Sequence, residues 1–221
     1  QTLSYMLDYR LWKLNPSGFH LFNILLHILN VILVYIILSR ITKDGIVAFM
    51  VSILFAIHPV NTEVVTYISG RSDALCALFV LLGILAYLKY NTSNRRLFYL
   101  LTLFLFILAV LSKEIALVFP FAIILYDIFL KKINRYQLKN YFPFFVIMFF
   151  YVYLRSGVVD FSNAASFFAK FNFIPKVDIG QRLLNFIASL FQYLNMIVLP
   201  CDLHMERFIF IRGIFEFPVI A

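Results

Sequence analysis

The chain has 221 residues, of which 63% are hydrophobic and 14% charged, with a mean hydropathy of +0.91. A soluble domain carries about 25% charged residues, because most of its exterior must stay polar, so this composition excludes a soluble globular fold. It equally excludes a disordered tail, a coiled coil and a disulfide scaffold.

A membrane span needs about 20 apolar residues. Read in chain order, the polar opening of residues 1–16 is followed by a first span at residues 18–39. A second apolar run, Gly45–Ile57, stops at His58-Pro59. It is a short span or a half-helix, since Pro59 cannot continue the hydrogen-bond ladder. Further spans fall at residues 74–90, 97–111, 115–130, 141–154 and 183–199. The texture changes at residues 156–180, where Phe alternates with Ser, Asn and Lys170; an external loop with an interfacial helix near residues 163–171 fits it. The expected fold is an all-α, polytopic transmembrane bundle of about seven segments. The opening Gln1 and the apolar close at residues 217–221 are expected of a piece of a longer chain.

The net charge is +8, from 19 Lys+Arg and 11 Asp+Glu. Its basic members gather in alternate loops: Arg40 and Lys43, then Lys89, Arg95 and Arg96, then Lys131, Lys132, Arg135 and Lys139. The positive-inside rule puts those loops in the cytosol and the mixed-charge loops outside. The excess charge therefore reads as membrane orientation rather than as affinity for nucleic acid. Asn91-Thr92-Ser93 fits the glycosylation pattern but falls on the cytosolic side. Cys76 and Cys201 sit in or beside apolar segments, which suits a structural role.

Polar groups inside spans cost free energy and need a reason. His20, Asn23, His27 and Asn30 fall on one stripe about 80° wide at 100° per residue. An interhelical polar seam accounts for it, ahead of a substrate-facing wall or a zinc site. A second cluster, His58, Asn61, Glu63, Arg71 and Asp73, occupies the rim between two spans. It reads equally as a solvated loop with an Arg71–Asp73 or Glu63–Arg71 pair, or as a rim for a phosphate or sugar, where the planar fork of Arg71 would donate bidentately. A third, Lys113-Glu114, separates two apolar helices, either as a mutual ion pair or as a charged pair facing the same cavity as Arg71. Asp127 reads as a structural contact or a partner for Lys131 four residues on. No triad, phosphate loop, dinucleotide fingerprint or metal-ligand spacing is present in the sequence.

Several short motifs go further when taken together. Leu7-Asp8-Tyr9-Arg10-Leu11-Trp12-Lys13-Leu14-Asn15-Pro16, Phe55-Ala56-Ile57-His58-Pro59-Val60-Asn61-Thr62-Glu63, Gly70-Arg71-Ser72-Asp73, Ser112-Lys113-Glu114, Tyr126-Asp127, Leu154-Arg155 and Leu199-Pro200-Cys201-Asp202-Leu203 occur in this order. Their order and spacing resemble the transmembrane and tetratricopeptide-repeat O-mannosyltransferases, within the wider GT-C glycosyltransferases. The resemblance implies a membrane enzyme of the prokaryotic plasma membrane or the endoplasmic reticulum. It would transfer a sugar, mannose by expectation, from a polyprenyl- or dolichyl-phosphate donor to a protein Ser/Thr hydroxyl or another exported acceptor. A divalent metal stays open as a cofactor; membrane lipid, the lipid-phosphate sugar and the acceptor are the implied partners. The family's acidic catalytic motif would lie upstream of the residues matched at 7–16, so Asp8 is not assigned that role, and a repeat domain would follow downstream. Residues 1–221 would then be one part of a multi-pass membrane domain, inactive alone. The implied substrate-binding set is His58, Glu63, Arg71, Asp73, Lys113 and Glu114, with Arg71 and Lys113 on the donor phosphate. Rival classes are a lipid-linked-sugar transporter or flippase, a polymerase or ligase, and a non-enzymatic anchor for a repeat domain.

Overall fold

The computed structural model describes residues 2–129, 135–158 and 179–198, and every regular element among them is a helix. The chain divides into two compact units, Gln1–Leu154 and Arg155–Ala221. The first holds α1 (Thr2–Trp12), α2 (Pro16–Thr42), α3 (Gly45–Ile57), α4 (Thr62–Thr66), α5 (Arg71–Ser93), α6 (Arg96–Ser112), α7 (Phe119–Phe129) and most of α8 (Arg135–Val158). The second holds α9 (Ile179–Val198).

Local signals set these boundaries. Asn15 caps α2, its side chain accepting from the Ser17 N–H at 3.1 Å, and Pro16 occupies the first turn, where no N–H is needed. Gly18 lies under Trp12, where a Cβ would sit 2.2 Å from the indole. Asp44 caps α3 by accepting from the Ile46 and Val47 N–H groups at 2.8 and 3.2 Å. Lys43 and Asn94 end α2 and α5 in the left-handed region, each donating its N–H back to a carbonyl of the last turn, Ser39 O and Tyr90 O.

Among the described residues, two helices are long and apolar enough to cross a membrane, Pro16–Thr42 and Ile68–Ser93, the second counted with the 3₁₀ turn before α5. Gly45–Ile57 and Pro59–Thr66 add a third if the pair, bent by 51°, is one span. The helix does stop at His58, as Pro59 requires. The expected fifth segment is not one α-helix: a 3₁₀ turn, Glu114–Val118, precedes the 11-residue α7. Within the expected seventh, α9 carries Asn185, Ser189 and Gln192 at spacings of four and three, so one stripe of it is polar. The expected interfacial helix at residues 163–171, Lys131, Lys132 and Cys201 lie outside the described residues.

α2 packs on α3 and α5, and α5 on α6. The polar stripe of α2 is the seam that joins them. Asn23 Nδ2 donates to Tyr67 O at 2.9 Å, Asn30 Nδ2 donates to Ala74 O at 3.0 Å, and His27 Nε2 lies 3.1 Å from Ala56 O. Bonds of this kind contribute roughly 0.6 kcal/mol each inside a membrane. Further along the bundle the core is aromatic. Phe106 stacks on Phe119 at 5.4 Å between centroids, and Phe144 tilts against both. Asp127, wholly buried, accepts from the Tyr87 and Tyr141 hydroxyls at 2.5 and 2.6 Å and from Asn91 Nδ2 at 3.5 Å. It is a structural contact between α5, α7 and α8. Cys76 is buried with its thiol 3.9 Å from Lys113 O, in keeping with a structural role.

Phe106→Ala leaves a ring-sized cavity among Phe119 and Phe144 and is expected to lower stability by about 3–5 kcal/mol. Thermal unfolding of the detergent-solubilised protein measures it, and an unchanged midpoint would remove this cluster from the core.

Candidate functional site

The break at His58-Pro59 creates the site. After α3 the chain runs through a 3₁₀ turn (Pro59–Asn61), the short α4, and a second 3₁₀ turn (Ile68–Gly70) before α5 begins. His58 stabilises the break locally, its Nδ1 accepting from the Val60 N–H at 3.2 Å. Each interruption frees backbone carbonyls that a membrane will not hydrate. Asn61 Nδ2 donates to Phe55 O at 2.5 Å, Tyr5 OH donates to Ile68 O at 2.7 Å, and Asn23 covers Tyr67 O. Gly70 lets α4 lie against the start of α5, since a Cβ there would sit 2.9 Å from Glu63 O.

Within this end of the bundle a cavity of about 430 Å³ is lined by Glu63, Tyr67, Ser69, Ser72, Asp73 and Lys113 among others. Glu63 comes from α4, Asp73 from the first turn of α5, and Lys113 from the residue after α6. Lys113 is fully extended (φ −157°, ψ 141°), and its Nζ lies 2.5 Å from Asp73 Oδ1. Both side chains remain well exposed, at 41% and 37%. A pair this open contributes about 0–1 kcal/mol to stability, so an incoming anion can share Lys113 at little cost to the fold. The cavity thus combines one cation, two carboxylates and several hydroxyls. Among the described residues no three His, Cys, Asp or Glu side chains gather as metal ligands.

Three of the six expected residues, Glu63, Asp73 and Lys113, therefore meet at one cavity. His58 and Glu114 do not line it. The expected Lys113–Glu114 ion pair is replaced by Lys113–Asp73, because the chain leaves the helix at Lys113 and carries its side chain across to α5.

Arg71 departs furthest from expectation. Neither Asp73 nor Glu63 is its partner. Its side chain has no exposed surface and does not line the cavity. Nη2 contacts Asp8 Oδ2 at 2.5 Å, an ion pair rather than an aligned hydrogen bond, and also donates to Phe19 O at 3.1 Å. Nε donates to Asn23 Oδ1 at 3.0 Å. The guanidinium sits over the rings of Tyr5 and Phe22, 4.6 and 4.7 Å from their centroids. So enclosed, it presents no surface to the rim, where the rim reading expected it to meet a donor phosphate. The sequence did not flag Asp8 and Tyr5 as its neighbours. The available signal was their spacing, since residues three apart share a helical face and Asp8 is the one acid in α1.

Comparison with known proteins adds the family dimension. Residues 9–159 match the model of the family described as dolichyl-phosphate-mannose-protein mannosyltransferase. The chain is 35% identical over 150 residues to protein O-mannosyl-transferase TMTC1 of Mus musculus, a match covering 63% of this chain and 16% of that protein. It is 39% identical over 93 residues to protein O-mannosyl-transferase TMTC2 of Mus musculus, covering 42% of this chain and 11% of the relative. Protein O-mannosyl-transferase F38B6.6 of Caenorhabditis elegans is 36% identical over 116 residues, 51% of this chain and 16% of the relative. This chain thus spans a small part of the curated relatives it matches. No solved structure matches it.

The buried ion pair makes a measurable claim. Asp8→Leu strands a desolvated guanidinium and is expected to cost about 3–5 kcal/mol, whereas Asp8→Leu with Arg71→Met removes both charges and recovers most of that loss. Thermal unfolding of Asp8→Leu, Arg71→Met and the double variant decides it: a double variant as unstable as the sum of the singles would show that the pair is not the coupling element.

Proposed function

The chain belongs to the dolichyl-phosphate-mannose-protein mannosyltransferase family, and on that premise we propose that its cavity forms part of the surface where a lipid-phosphate-linked mannose is transferred to a protein hydroxyl. The observation that carries the reading is the exposed Lys113–Asp73 pair facing Glu63 across a polar cavity at a helix break. In the transfer, the bond between the anomeric carbon and the donor phosphate oxygen breaks, and a bond to the acceptor oxygen forms. The lipid phosphate leaves with the electron pair, and the acceptor's proton passes to a base. Lys113 serves the leaving phosphate, since a cation fixed where negative charge develops lowers the barrier. Asp73 holds the ammonium in place until the phosphate arrives. Glu63 and the neighbouring hydroxyls of Tyr67, Ser69 and Ser72 offer acceptors and donors to sugar hydroxyls. The resemblance reserves the general base for an acidic motif ahead of Leu7, and Asp8, committed to Arg71, is no candidate. Arg71 acts as a positioning residue that holds the start of α5. His58 and Glu114 keep only a supporting place, outside the cavity wall.

The positive-inside reading puts this cavity on the lumenal or external face of a multi-pass protein, where an exported acceptor would meet it. A transporter would need ionised groups along a path through the bilayer. Instead, α5 carries no Asp, Glu, Lys, Arg or His between Asp73 and Lys89, and α2 carries no Asp, Glu, Lys or Arg before Arg40, its His27 lying 3.1 Å from the Ala56 carbonyl as part of the seam.

In the full-length protein, Glu63→Gln and Lys113→Met are each expected to slow mannose transfer to an acceptor peptide by about 100-fold or more with an unchanged thermal midpoint, while Lys113→Arg keeps part of the rate. Reconstituted transfer from a lipid-phosphate mannose donor measures this. Normal rates in both Glu63→Gln and Lys113→Met would defeat the proposal. A reporter fused after Asn91 is expected to read as cytosolic; an external reading overturns the orientation.

A further inference from the structure

A second polar cavity lies at the opposite end of α5. Residues 73 and 91 are separated by about 27 Å along the helix axis at 1.5 Å per residue, close to the roughly 30 Å of a bilayer's hydrocarbon core. The cavity has a volume of about 460 Å³ and is lined by Ser39, Arg40 and Lys43 from the end of α2, by Asn91 and Thr92 from the last turn of α5, and by Tyr126 of α7, above Leu88. Its volume falls within the roughly 300–1,000 Å³ typical of ligand clefts.

We propose that this cavity binds the head group of an anionic phospholipid whose phosphate is esterified to a polyhydroxyl alcohol such as glycerol or inositol. The first support is charge. Arg40 and Lys43 are exposed, and among the described residues neither forms a salt bridge. The two acids nearby are already committed: Asp44 accepts from the Ile46 and Val47 N–H groups, and buried Asp127 accepts from two tyrosines and Asn91. Neither acid forms a salt bridge with Arg40 or Lys43 among the described residues, and with Asp44 counted this end of α2 keeps a net positive charge that a phosphodiester can meet.

The second support is the hydroxyl chemistry. Ser39 Oγ donates to Ile36 O at 3.0 Å and Thr92 Oγ1 donates to Lys89 O at 3.1 Å. Their hydrogens are used, so these oxygens face a ligand as acceptors. Acceptors beside two cations suit a phosphate that carries free hydroxyls better than a bare inorganic anion. The third support is placement. Lys43 is pinned in the left-handed region by its N–H bond to Ser39 O. Ile32 and Tyr35, seven and four residues before Ser39 on the same face of α2, are exposed and apolar, which gives acyl chains a surface beneath the head group.

Orientation in the membrane accounts for basic residues at this end, but not for a cavity built around two of them. Lys89, Arg95 and Arg96 share the same end and do not line it. They supply the control.

The test uses the purified full-length protein with native mass spectrometry and lipid titration, comparing phosphatidylglycerol and phosphatidylinositol with phosphatidylcholine. Arg40→Gln with Lys43→Gln should weaken retention of the anionic lipids about tenfold or more. Arg95→Gln with Arg96→Gln, which removes the same charge outside the cavity, should leave it within twofold. Equal losses in the two double variants overturn the site in favour of diffuse attraction. Displacement of the lipid by inorganic phosphate at matched ionic strength overturns the lipid assignment and leaves a phosphate site. An unchanged thermal midpoint in Arg40→Gln with Lys43→Gln separates lost binding from lost folding.

Discussion

A guanidinium with no exposed surface must find its counter-charge and hydrogen bonds inside the protein, and Arg71 imposes that requirement on three helices. α1 supplies Asp8 and the ring of Tyr5; α2 supplies Asn23, the Phe19 carbonyl and the ring of Phe22. Breaking such an arrangement on one side leaves an uncompensated buried charge, so α1, α2 and α5 are held in one register at this end. The consequence for the cavity is geometric. Residues two apart on a helix point about 200° apart. Turning Arg71 inward against α1 and α2 turns Asp73 outward, where Lys113 meets it.

The same end carries the chain's irregular backbone, and there the α2 seam acts as more than a contact between helices. Asn23 does two things at once: Oδ1 accepts from Arg71 Nε, while Nδ2 donates to the Tyr67 carbonyl. The helix interruptions between Ile57 and Arg71 expose carbonyls that lipid cannot satisfy, and side chains of Tyr5, Asn23 and Asn61 satisfy them. A polar rim in a mostly apolar chain is thereby made compatible with a membrane, and the space left between the broken segments becomes the cavity.

Each end of α5 therefore has its own character. One holds a cation balanced by a carboxylate, open enough to rearrange around a ligand. The other holds two cations that form no salt bridge among the described residues, beside a buried Asp127 locked by tyrosines. The aromatic packing of Phe106, Phe119 and Phe144 belongs to the bundle between them.

Much of this was legible in the residues. An apolar chain with few breakers folds as helices in a bilayer, the stripe of Asn23, His27 and Asn30 read first as a seam against a neighbouring helix, and Pro59 marked the break after α3, all for reasons that act within a few residues. The motif order pointed to the family before any comparison. Which charges meet which was not legible. Arg71 stood two residues from Asp73 and eight from Glu63, yet pairs with Asp8, 63 positions away; Lys113 stood beside Glu114, yet pairs with Asp73. Asp127 was legible as a structural contact, but not that Tyr87 and Tyr141, 40 and 14 positions away, would hold it. The sequence by itself determined the helical class, the membrane setting and the clustering of its charges at the ends of the apolar runs, because hydrophobicity and backbone chemistry are local. Only the tertiary structure decided which ionised groups are buried and which remain free for a ligand, because that depends on the rotation of each helix against its neighbours.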